Sequence, residues 1–465
     1  NYERFIDKTL TKKNSFTTGQ VYQSVIKRER EGGYLGKTIQ VIPHVVDEIK
    51  ERIYAATEDN DFLIIELGGT VGDIEGLPFM EAIRSIRHEL PKTNTMNIHL
   101  SLVPYIKAAG ELKTKPTQHS VQELRRIGIT PHMLVCRTER ELPKALKDKL
   151  ALACDIDRNA VIEAGDAQSI YQVPLQFIKE GILTPLSEHF NIKIKPNMEK
   201  WDTLVKNILL PQGEVTIAFV GKYLDLKESY KSLIEALIHA GAHLSTKVNI
   251  HWCDSERIED VGAYDIIGNS DAILVAGGFG QRGVNGKLAA IKYARENKIP
   301  YLGICLGMQL AIIEFAKNVL GLEDANSIEF DPNTKNPLIY LIDEFIDQSG
   351  NKQIRTHESP MGGTMRLGEY PFEPLKGTHL QKAYGNNEIY YERHRHRYEA
   401  NPKYKQVLED AGMIISGQSD GLIEAIELKD HPWFVGVQFH PEFTSHLETP
   451  NPIILEFVRQ ATKNK

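Results

Sequence analysis

The second half of the chain repeats one pattern: a short apolar run, a glycine-rich turn and then a helical periodicity. The apolar runs cover residues 215–220, 271–276, 299–304 and 433–439, and helical patterns cover about 229–240 and 306–320. This alternation is typical of a doubly wound sheet, in which parallel strands are covered by helices on both faces. It excludes an all-helical or all-β fold for this half.

The first half has the same layout in a weaker form. Apolar runs at 62–67, 97–103 and 133–136 predict strands, and residues 143–154 predict a helix that begins at a proline. Between them and the second half, residues 192–213 contain two prolines and alternating lysines, which indicates a connector with one short helix. We therefore predict an α/β domain over 1–191, a linker over 192–213 and a second α/β domain over 214–465.

Composition excludes several classes of function. Of the 465 residues 41% are hydrophobic and 25% charged, which suits an ordinary globular core. The net charge of −7 is too mild for a nucleic-acid-binding surface. No run approaches the roughly 20 apolar residues of a membrane span. The four widely spaced cysteines argue against a disulfide framework. We therefore expect a cytoplasmic protein that binds neither nucleic acid nor membranes.

Cys305 lies in a Gly-x-Cys-x-Gly sequence between a predicted buried strand and a predicted long helix. Gly303 and Gly307 would permit the sharp turn of a nucleophile elbow. The positive end of the helix dipole would favour the reactive thiolate. An arbitrary cysteine is more often a small buried apolar residue, but the glycines and the strand–helix junction favour a nucleophile here.

His440 ends a buried strand, and Glu442 follows it two residues later. Active-site groups collect at the carboxyl ends of parallel strands, and a carboxylate beside an imidazole orients the ring. The run Gly277–Gly280 could supply main-chain donors to an oxyanion. Taken separately, the histidine could be an ordinary turn residue and the glycines an ordinary turn. Their combination with Cys305 favours acyl-transfer chemistry.

The first half carries candidate nucleotide ligands. Glu66 ends an apolar run, and Asp73 and Glu75 follow it beside glycines, an arrangement suited to Mg²⁺ bound together with phosphates. An acidic turn exposed to solvent is an equally good interpretation. Residues 113–118 place two lysines on one short predicted loop, and Lys149 would add a third positive charge. A plain basic loop is again the alternative.

Several longer motifs resemble known families. GICLGMQ around Cys305, the preceding AGGFGQRG and the later QFHPEF resemble class I glutamine amidotransferases. KYLDLKESYKS, ANSIEF, GGTMRLG and ERHRHRYE narrow the resemblance to the CTP synthase family, over essentially the whole chain. The implied fold is an N-terminal Rossmann-like amidoligase domain of phosphate-loop type followed by a C-terminal doubly wound amidotransferase domain.

The resemblance implies a role for each of these groups. Cys305 would be the nucleophile, His440 the base and acid, and Glu442 the residue that orients His440. The implied glutamine-binding residues are Gly277, Gly278, Leu306, Gly307, Met308, Gln309, Glu329 and Arg395. The implied UTP- and CTP-binding residues are Asp73, Ile74, Glu75, Lys113, Thr114, Lys115, Pro116, Thr117, Gln118 and Lys149. Gly165, Asp166 and Ala167 would contact ATP, and Glu66 would bind Mg²⁺.

The implied reaction is the ATP-dependent amination of UTP to CTP with ammonia from glutamine, through a 4-phosphorylated UTP and a cysteine thioester. The resemblance also implies GTP as allosteric activator acting at a lid that contains residues 362–368, CTP as feedback inhibitor, a homotetramer and filaments.

The family's first domain opens with a glycine-rich phosphate loop, but no G-x-x-x-x-G-K-[ST] motif occurs in this chain. The resemblance thus implies a synthase domain incomplete at its start. Two alternatives remain open: a synthase-inactive homologue with a regulatory or scaffolding role, and a glutaminase that supplies ammonia elsewhere.

Overall fold

The computed structural model describes residues 2–57, 60–222, 228–341 and 365–465, and the backbone alone of 344–346 and 352–354. Its residues form two compact units. One comprises Lys8–Asp202, and the other comprises Asn1–Asp7 together with Thr203–Lys465. The division falls inside the predicted connector, whose short helix is Glu199–Leu209.

The described helices are, in chain order, α1 Glu3–Ile6, α2 Thr18–Arg30, α3 Val46–Ala55, α4 Leu77–Glu89, α5 Lys115–Arg126, α6 Lys144–Cys154, α7 Val173–Lys179, α8 Leu183–Phe190, α9 Glu199–Leu209, α10 Lys231–His243, α11 Ser255–Val261, α12 Ala263–Ile267, α13 Val284–Glu296, α14 Leu306–Asn318, α15 His379–Tyr384, α16 Lys405–Asp410 and α17 Pro452–Asn464. The described strands are β1 Ile98–Leu102, β2 Tyr105–Ile106, β3 Glu111–Leu112, β4 Met133–Arg137, β5 Val161–Ala164, β6 Gly213–Gly221, β7 Thr246–Asp254, β8 Ala272–Val275, β9 Tyr301–Ile304, β10 Ala325–Ser327, β11 Asn336–Leu341, β12 Glu344–Ile346, β13 Lys352–Ile354, β14 Arg366–Pro374, β15 Tyr390–His396, β16 Tyr398–Ala400, β17 Met413–Ser419, β18 Leu422–Leu428 and β19 Phe434–Val437.

A mixed sheet forms the centre of the larger unit. In the described part of the chain its nine strands run in the order β15-β14-β17-β18-β19-β9-β8-β6-β7. The segment from β19 to β7 is parallel, as the repeated pattern predicts. The strands from β15 to β19 pair antiparallel. The sequence prediction did not include this antiparallel extension, because its strands lack the glycine-turn-helix pattern.

The parallel strands are apolar on both faces because helices cover both. Along β6, Ile217 and Phe219 belong to one core cluster with residues of α10 and α17, whereas Ala218 and Val220 belong to another with residues of α13 and α14. Every residue of β8, β9 and β19 is buried. Two-sided burial explains why these strands read as continuous apolar runs rather than alternating ones.

The smaller unit contains a three-stranded parallel sheet in the order β1-β4-β5. The strands predicted at 97–103 and 133–136 and the helix predicted at 143–154 are all present, with bounds that differ by a residue or two. The strand predicted at 62–67 is wrong, since these residues adopt no regular structure and Ile64 is 89% exposed. A strand requires a hydrogen-bonded neighbour, and no described strand pairs with this run.

No helix in the described part of the chain combines the length and the apolar character that a membrane crossing requires.

Candidate active site

Three neighbouring strands deliver the predicted amidotransferase residues to one edge of the large sheet. β8 leads into Gly277, β9 into Cys305, and β19 into His440 three residues beyond its end. The strands are parallel and in register, with Val275 opposite Gly303 and Val437 opposite Ile304. Because parallel strands end at the same edge, residues far apart in the sequence meet there.

Cys305 occupies a strained turn between β9 and α14. Its φ is 54° and its ψ −105°, outside the regions that side chains ordinarily adopt. A Cβ on Gly303 would lie 2.5 Å from the Tyr301 hydroxyl, and one on Gly307 would lie 2.3 Å from the Val275 carbonyl oxygen. Both glycines are therefore required by close packing, and the predicted nucleophile-elbow geometry is present.

His440 and Glu442 form the expected pair. His440 Nδ1 lies 2.8 Å from Glu442 Oε1, and the His440 main-chain N–H donates to the Arg393 carbonyl, 2.8 Å away. Burial lowers the pKa of His440. The negative charges of Glu442 and Cys305 and hydrogen bonds to both side chains outweigh this effect and raise the pKa to about 10. The arrangement therefore favours the protonated, imidazolium form of His440.

Gly277 and Gly278 follow β8 and lie close to the side chains of Cys305 and His440. A Cβ on Gly277 would lie 3.3 Å from His440 Cε1 and 3.4 Å from Cys305 Cβ. A Cβ on Gly278 would lie 3.9 Å from Leu306 Cδ2. Among the residues that the structure describes, neither glycine N–H has a hydrogen-bond acceptor. Two unpaired donors beside a nucleophile are what an oxyanion site requires.

Two glutamines extend the site beneath Cys305. Gln438 Nε2 lies 3.7 Å from Cys305 Sγ, and Gln438 Oε1 accepts a hydrogen bond of 3.0 Å from Gln309 Nε2. Gln309 Nε2 also donates to the Tyr398 carbonyl, 2.7 Å away. The predicted glutamine-binding residue Gln309 is thus linked to Cys305 through Gln438, which the sequence analysis did not single out.

Glu329 contacts the glycine turn that follows β8. Among the described contacts, none joins Arg395 to Glu329. Glu329 Oε1 accepts a 2.8 Å hydrogen bond from the Gly280 N–H. Burial raises the pKa of Glu329, whereas the Gly280 hydrogen bond and the charges of Lys222 and Arg397 act to lower it. Arg395 is an exposed residue of β15. Arg397 lies two residues later in the same motif, and it is this arginine, not Arg395, whose charge acts on Glu329.

Gly307 and Met308 lie in the packing between α14 and the sheet. The Gly307 carbonyl accepts a 3.0 Å hydrogen bond from the Tyr301 hydroxyl. Met308 is fully buried, and its Cγ lies 2.9 Å from where a Cβ on Gly436 would be. Because Gly307 has no side chain and that of Met308 is buried, only main-chain groups of these two residues could contact glutamine.

The predicted magnesium and pyrimidine ligands of the smaller unit lie on exposed loops. Glu66, Asp73 and Glu75 are exposed, and Ile74 is 82% exposed. Asp73 Oδ2 accepts a 2.9 Å hydrogen bond from the Thr70 N–H. The described residues contain no cluster of three or more His, Cys, Asp or Glu side chains suited to a metal. An exposed carboxylate such as Glu66 still suits Mg²⁺, which commonly takes one or two carboxylates together with substrate phosphates.

The predicted basic loop is in part the start of a helix. Lys115, Pro116, Thr117 and Gln118 form the first turn of α5, because proline suits that position. Thr117 is buried, and its hydroxyl contacts β1 through the Leu102 carbonyl, 3.3 Å away. Gln118 Nε2 donates to Thr114 Oγ1 over 3.1 Å. Thr117 therefore fixes the helix to the sheet, while the lysines stay exposed.

Lys113 and Lys149 come together around Glu111. The Lys113 ammonium is paired with Glu111, and this hydrogen bond, the Lys113 charge and the Lys149 charge lower the pKa of Glu111. Lys149 is an exposed residue of α6. The loop after β3 and the helix α6 thus supply one shared patch of positive charge.

Gly165, Asp166 and Ala167 follow β5 at the carboxyl edge of the smaller sheet. Asp166 Oδ1 lies 2.5 Å from Arg137 Nη2, at the end of the neighbouring strand β4. The predicted adenine-nucleotide residues therefore lie at the strand ends, where α/β sheets bind ligands.

Sequence reasoning missed Gln438, Lys222, Lys287 and Arg397. Gln438 and Arg397 stood inside motifs already recognised, and Lys222 follows a predicted strand, so their positions carried a signal. Lys287, a buried residue of α13 whose ammonium donates to the Ala276 carbonyl at the start of the glycine turn, carried none, because a lysine in a helical pattern is usually solvated. Within the predicted lid, residues 362–364 lie outside the described part of the chain, as do residues 223–227 of the KYLDLKESYKS motif.

Known families match both halves of the chain. The family model for glutamine amidotransferase class-I matches residues 225–460, and the model for the CTP synthase N-terminus matches residues 1–192. The doubly wound sheet, the nucleophile elbow and the His–Glu pair thus define the larger unit as a class I glutamine amidotransferase domain.

Full-length similarity makes the assignment more specific. The CTP synthase of Wolinella succinogenes is 66% identical over 466 residues, which are 100% of this chain and 84% of that protein. The CTP synthase of Sulfurimonas denitrificans is 65% identical over 459 residues, covering 98% of this chain and 85% of that protein. The solved Trypanosoma brucei CTPS glutaminase domain with bound acivicin is 39% identical, covering 54% of this chain and 95% of that domain with a TM-score of 0.49. The chain belongs to the CTP synthase family, as the motifs predicted.

Proposed function

We propose that this chain makes CTP by aminating UTP, with ATP as co-substrate and with ammonia that it releases from glutamine. Family membership supports the overall reaction. The observation that carries the glutaminase half is the strained Cys305 beside both the His440–Glu442 pair and the unpaired N–H groups of Gly277 and Gly278.

In the glutaminase half, the Cys305 thiolate attacks the carboxamide carbon of glutamine. The oxyanion of the tetrahedral intermediate accepts hydrogen bonds from the N–H groups of Gly277, Gly278 and Leu306. His440 gives its proton to the leaving nitrogen, and Glu442 holds the ring for this transfer. Ammonia leaves and a thioester remains. His440 then takes a proton from the water that hydrolyses the thioester to glutamate.

Charged residues at the glycine turn hold the amino-acid end of the substrate. Glu329 suits the ammonium of glutamine, since its carboxylate lies at Gly280. A guanidinium suits the α-carboxylate. Arg397 is the better candidate than Arg395, because its charge acts on Glu329 whereas Arg395 is exposed on β15.

In the synthase half, ATP phosphorylates the uracil 4-oxygen and ammonia then displaces the phosphate. Lys113, Lys115 and Lys149 would bind the pyrimidine triphosphate, and Asp73, Ile74 and Glu75 would contact the same nucleotide. Gly165, Asp166 and Ala167 would contact ATP. Glu66 would hold Mg²⁺, which supplies charge neutralisation of the phosphates when bound. The exposed lysines around Glu111 support the phosphate-binding part of this proposal.

Regulation and assembly extend the proposal. We expect activation by GTP, feedback inhibition by CTP, and assembly into homotetramers and filaments, as family membership suggests. We place the reaction in the cytoplasm, which the four free cysteines support.

Replacing the nucleophile tests the proposal. Cys305→Ala should abolish glutamine hydrolysis and glutamine-dependent CTP formation, whereas CTP formation from added ammonia should stay within about twofold, because the synthase half does not use the thiol. Cys253→Ala, which removes a buried thiol outside the site, is the matched control and should change neither activity. Glutamine hydrolysis that survives in Cys305→Ala would overturn the assignment of the nucleophile.

A further inference from the structure

Two buried lysines hold the glycine turn that follows β8. Lys287, on α13, is 1% exposed, and its ammonium donates to the Ala276 carbonyl over 2.8 Å. Lys222, which follows β6, is 4% exposed, and its ammonium donates to the Gly280 carbonyl over 3.0 Å and to the Phe279 carbonyl. The first lysine thus binds the start of the turn and the second binds its end.

Lys287 has an environment that is costly for a lysine. Among the described residues its ammonium is paired with the Ala276 carbonyl and with no carboxylate, although the side chain is completely buried. Burial and the nearby charge of Lys222 lower the pKa of Lys287 to about 7, while the charge of Cys305 acts in the opposite direction. A methionine of similar length would fill the same space without this cost. The position of Lys287 therefore requires an explanation other than packing.

The hydrogen bond from Lys287 fixes the direction of a catalytic N–H. The Ala276 carbonyl and the Gly277 N–H belong to one planar trans peptide, so they point in opposite directions. With its carbonyl held by Lys287, this peptide turns the Gly277 N–H away from the lysine. That N–H has no acceptor among the described residues, and the Gly277 α-carbon lies beside Cys305 and His440.

We propose that Lys287 is a positioning residue for glutamine hydrolysis, which holds the Ala276–Gly277 peptide so that the Gly277 N–H can bind the oxyanion. The inference rests on the proposed glutaminase function. The lysine touches neither the substrate nor the nucleophile and acts through the main chain. Its contribution appears only when the tetrahedral oxyanion forms, so it lowers the barrier without strengthening the binding of glutamine.

The test replaces Lys287 by methionine and measures hydrolysis and inhibitor binding separately. Loss of a single oxyanion donor typically lowers kcat by 10²–10³-fold, so a donor that is misaimed rather than removed should cost about 10- to 100-fold. We expect Lys287→Met to show this loss in kcat with a glutamine KM within about twofold of the unmodified chain. The affinity for a glutamine-derived aldehyde, which forms a tetrahedral adduct with a thiol, should fall by the same factor as kcat.

Two measurements separate this role from general loosening of the site. Alkylation of Cys305 by a glutamine-like chloroketone should keep its rate in Lys287→Met. The matched variant Lys292→Met, on the exposed side of the same helix, should leave every measured quantity unchanged. If Lys287→Met does not fold, Lys287→Gln replaces it, and its shorter side chain should lower kcat at least about fivefold at constant KM.

Two results would overturn the proposal. One is an unchanged kcat in the folded variant. The other is a rise in KM matched by equal falls in aldehyde affinity and in alkylation rate. Failure of the glutaminase function itself looks different, since the unmodified chain would then release no glutamate from glutamine.

Discussion

Glu392 is a buried carboxyl group that connects the turn after His440 to the sheet. Its raised pKa predicts how the stability of the protein changes with pH. It lies on β15 and is 2% exposed. Its Oε2 accepts a 2.7 Å hydrogen bond from the hydroxyl of Thr444, the residue that follows the 3₁₀ turn Pro441–Phe443. Its Oε1 accepts hydrogen bonds of 2.6 Å from the Tyr384 hydroxyl and from Asn451 Nδ2. Every donor is neutral, so no positive charge offsets the burial.

Burial raises the pKa of Glu392 from 4.5 to about 7, although the three hydrogen bonds act in the opposite direction; the negative charge of Glu442 adds to the increase. The folded protein therefore binds more protons than the unfolded chain between these two values. The stability that this group contributes is complete below 4.5 and is lost as the pH rises through 7. Between about pH 5.5 and about pH 8, the free energy of unfolding should fall by about 2 kcal/mol through this group alone.

The substitution Glu392→Gln removes the titration and keeps the shape and part of the hydrogen bonding. Urea unfolding, followed by tryptophan fluorescence at several pH values, measures the difference between variant and unmodified chain. We expect that difference to change by about 2 kcal/mol across this range, in the direction that favours the variant at high pH. Glu388→Gln, an exposed carboxylate near the start of β15, is the control and should follow the unmodified chain.

Parallel pH profiles for Glu392→Gln and the unmodified chain would refute the reasoning. They would mean that the carboxyl group has the same proton affinity in the folded and unfolded states, and hence that burial does not dominate its environment.

Two further substitutions test the sites directly. Gly277→Ala should lower kcat for glutamine hydrolysis by at least about 10²-fold. The added Cβ would lie 3.3 Å from His440 Cε1 and 3.4 Å from Cys305 Cβ, where the substrate carbonyl must fit. A kcat near that of the unmodified chain would contradict the oxyanion assignment. If Lys149 binds the triphosphate as proposed, Lys149→Met should raise the KM for UTP several-fold through the loss of one positive charge. Glutamine hydrolysis measured without nucleotides should stay constant, and an unchanged KM would remove Lys149 from the proposed nucleotide site.

The order and type of the main elements were accessible from local sequence. Strands β6, β8, β9 and β19 are buried on both faces, and such strands have an unmistakable apolar composition. The run at 62–67 has the same composition and forms no strand, because composition cannot reveal whether a neighbour supplies the hydrogen bonds. The antiparallel strands β14, β15, β17 and β18 were missed, since their apolar residues follow no helix-linked pattern.

The sequence by itself predicted Cys305, His440 and Glu442 as catalytic candidates, because each stands in a recognisable local motif. Only the tertiary structure decided which charged groups act on the residues around them, such as Glu329 and the Ala276 carbonyl. The charge of Arg397 rather than that of Arg395 acts on Glu329, since Arg397 lies just beyond the end of β15 whereas Arg395 is an exposed residue within the strand. Lys287 reaches the Ala276 carbonyl because α13 packs against the end of β8. Such contacts join distant segments, so no local pattern in the chain records them.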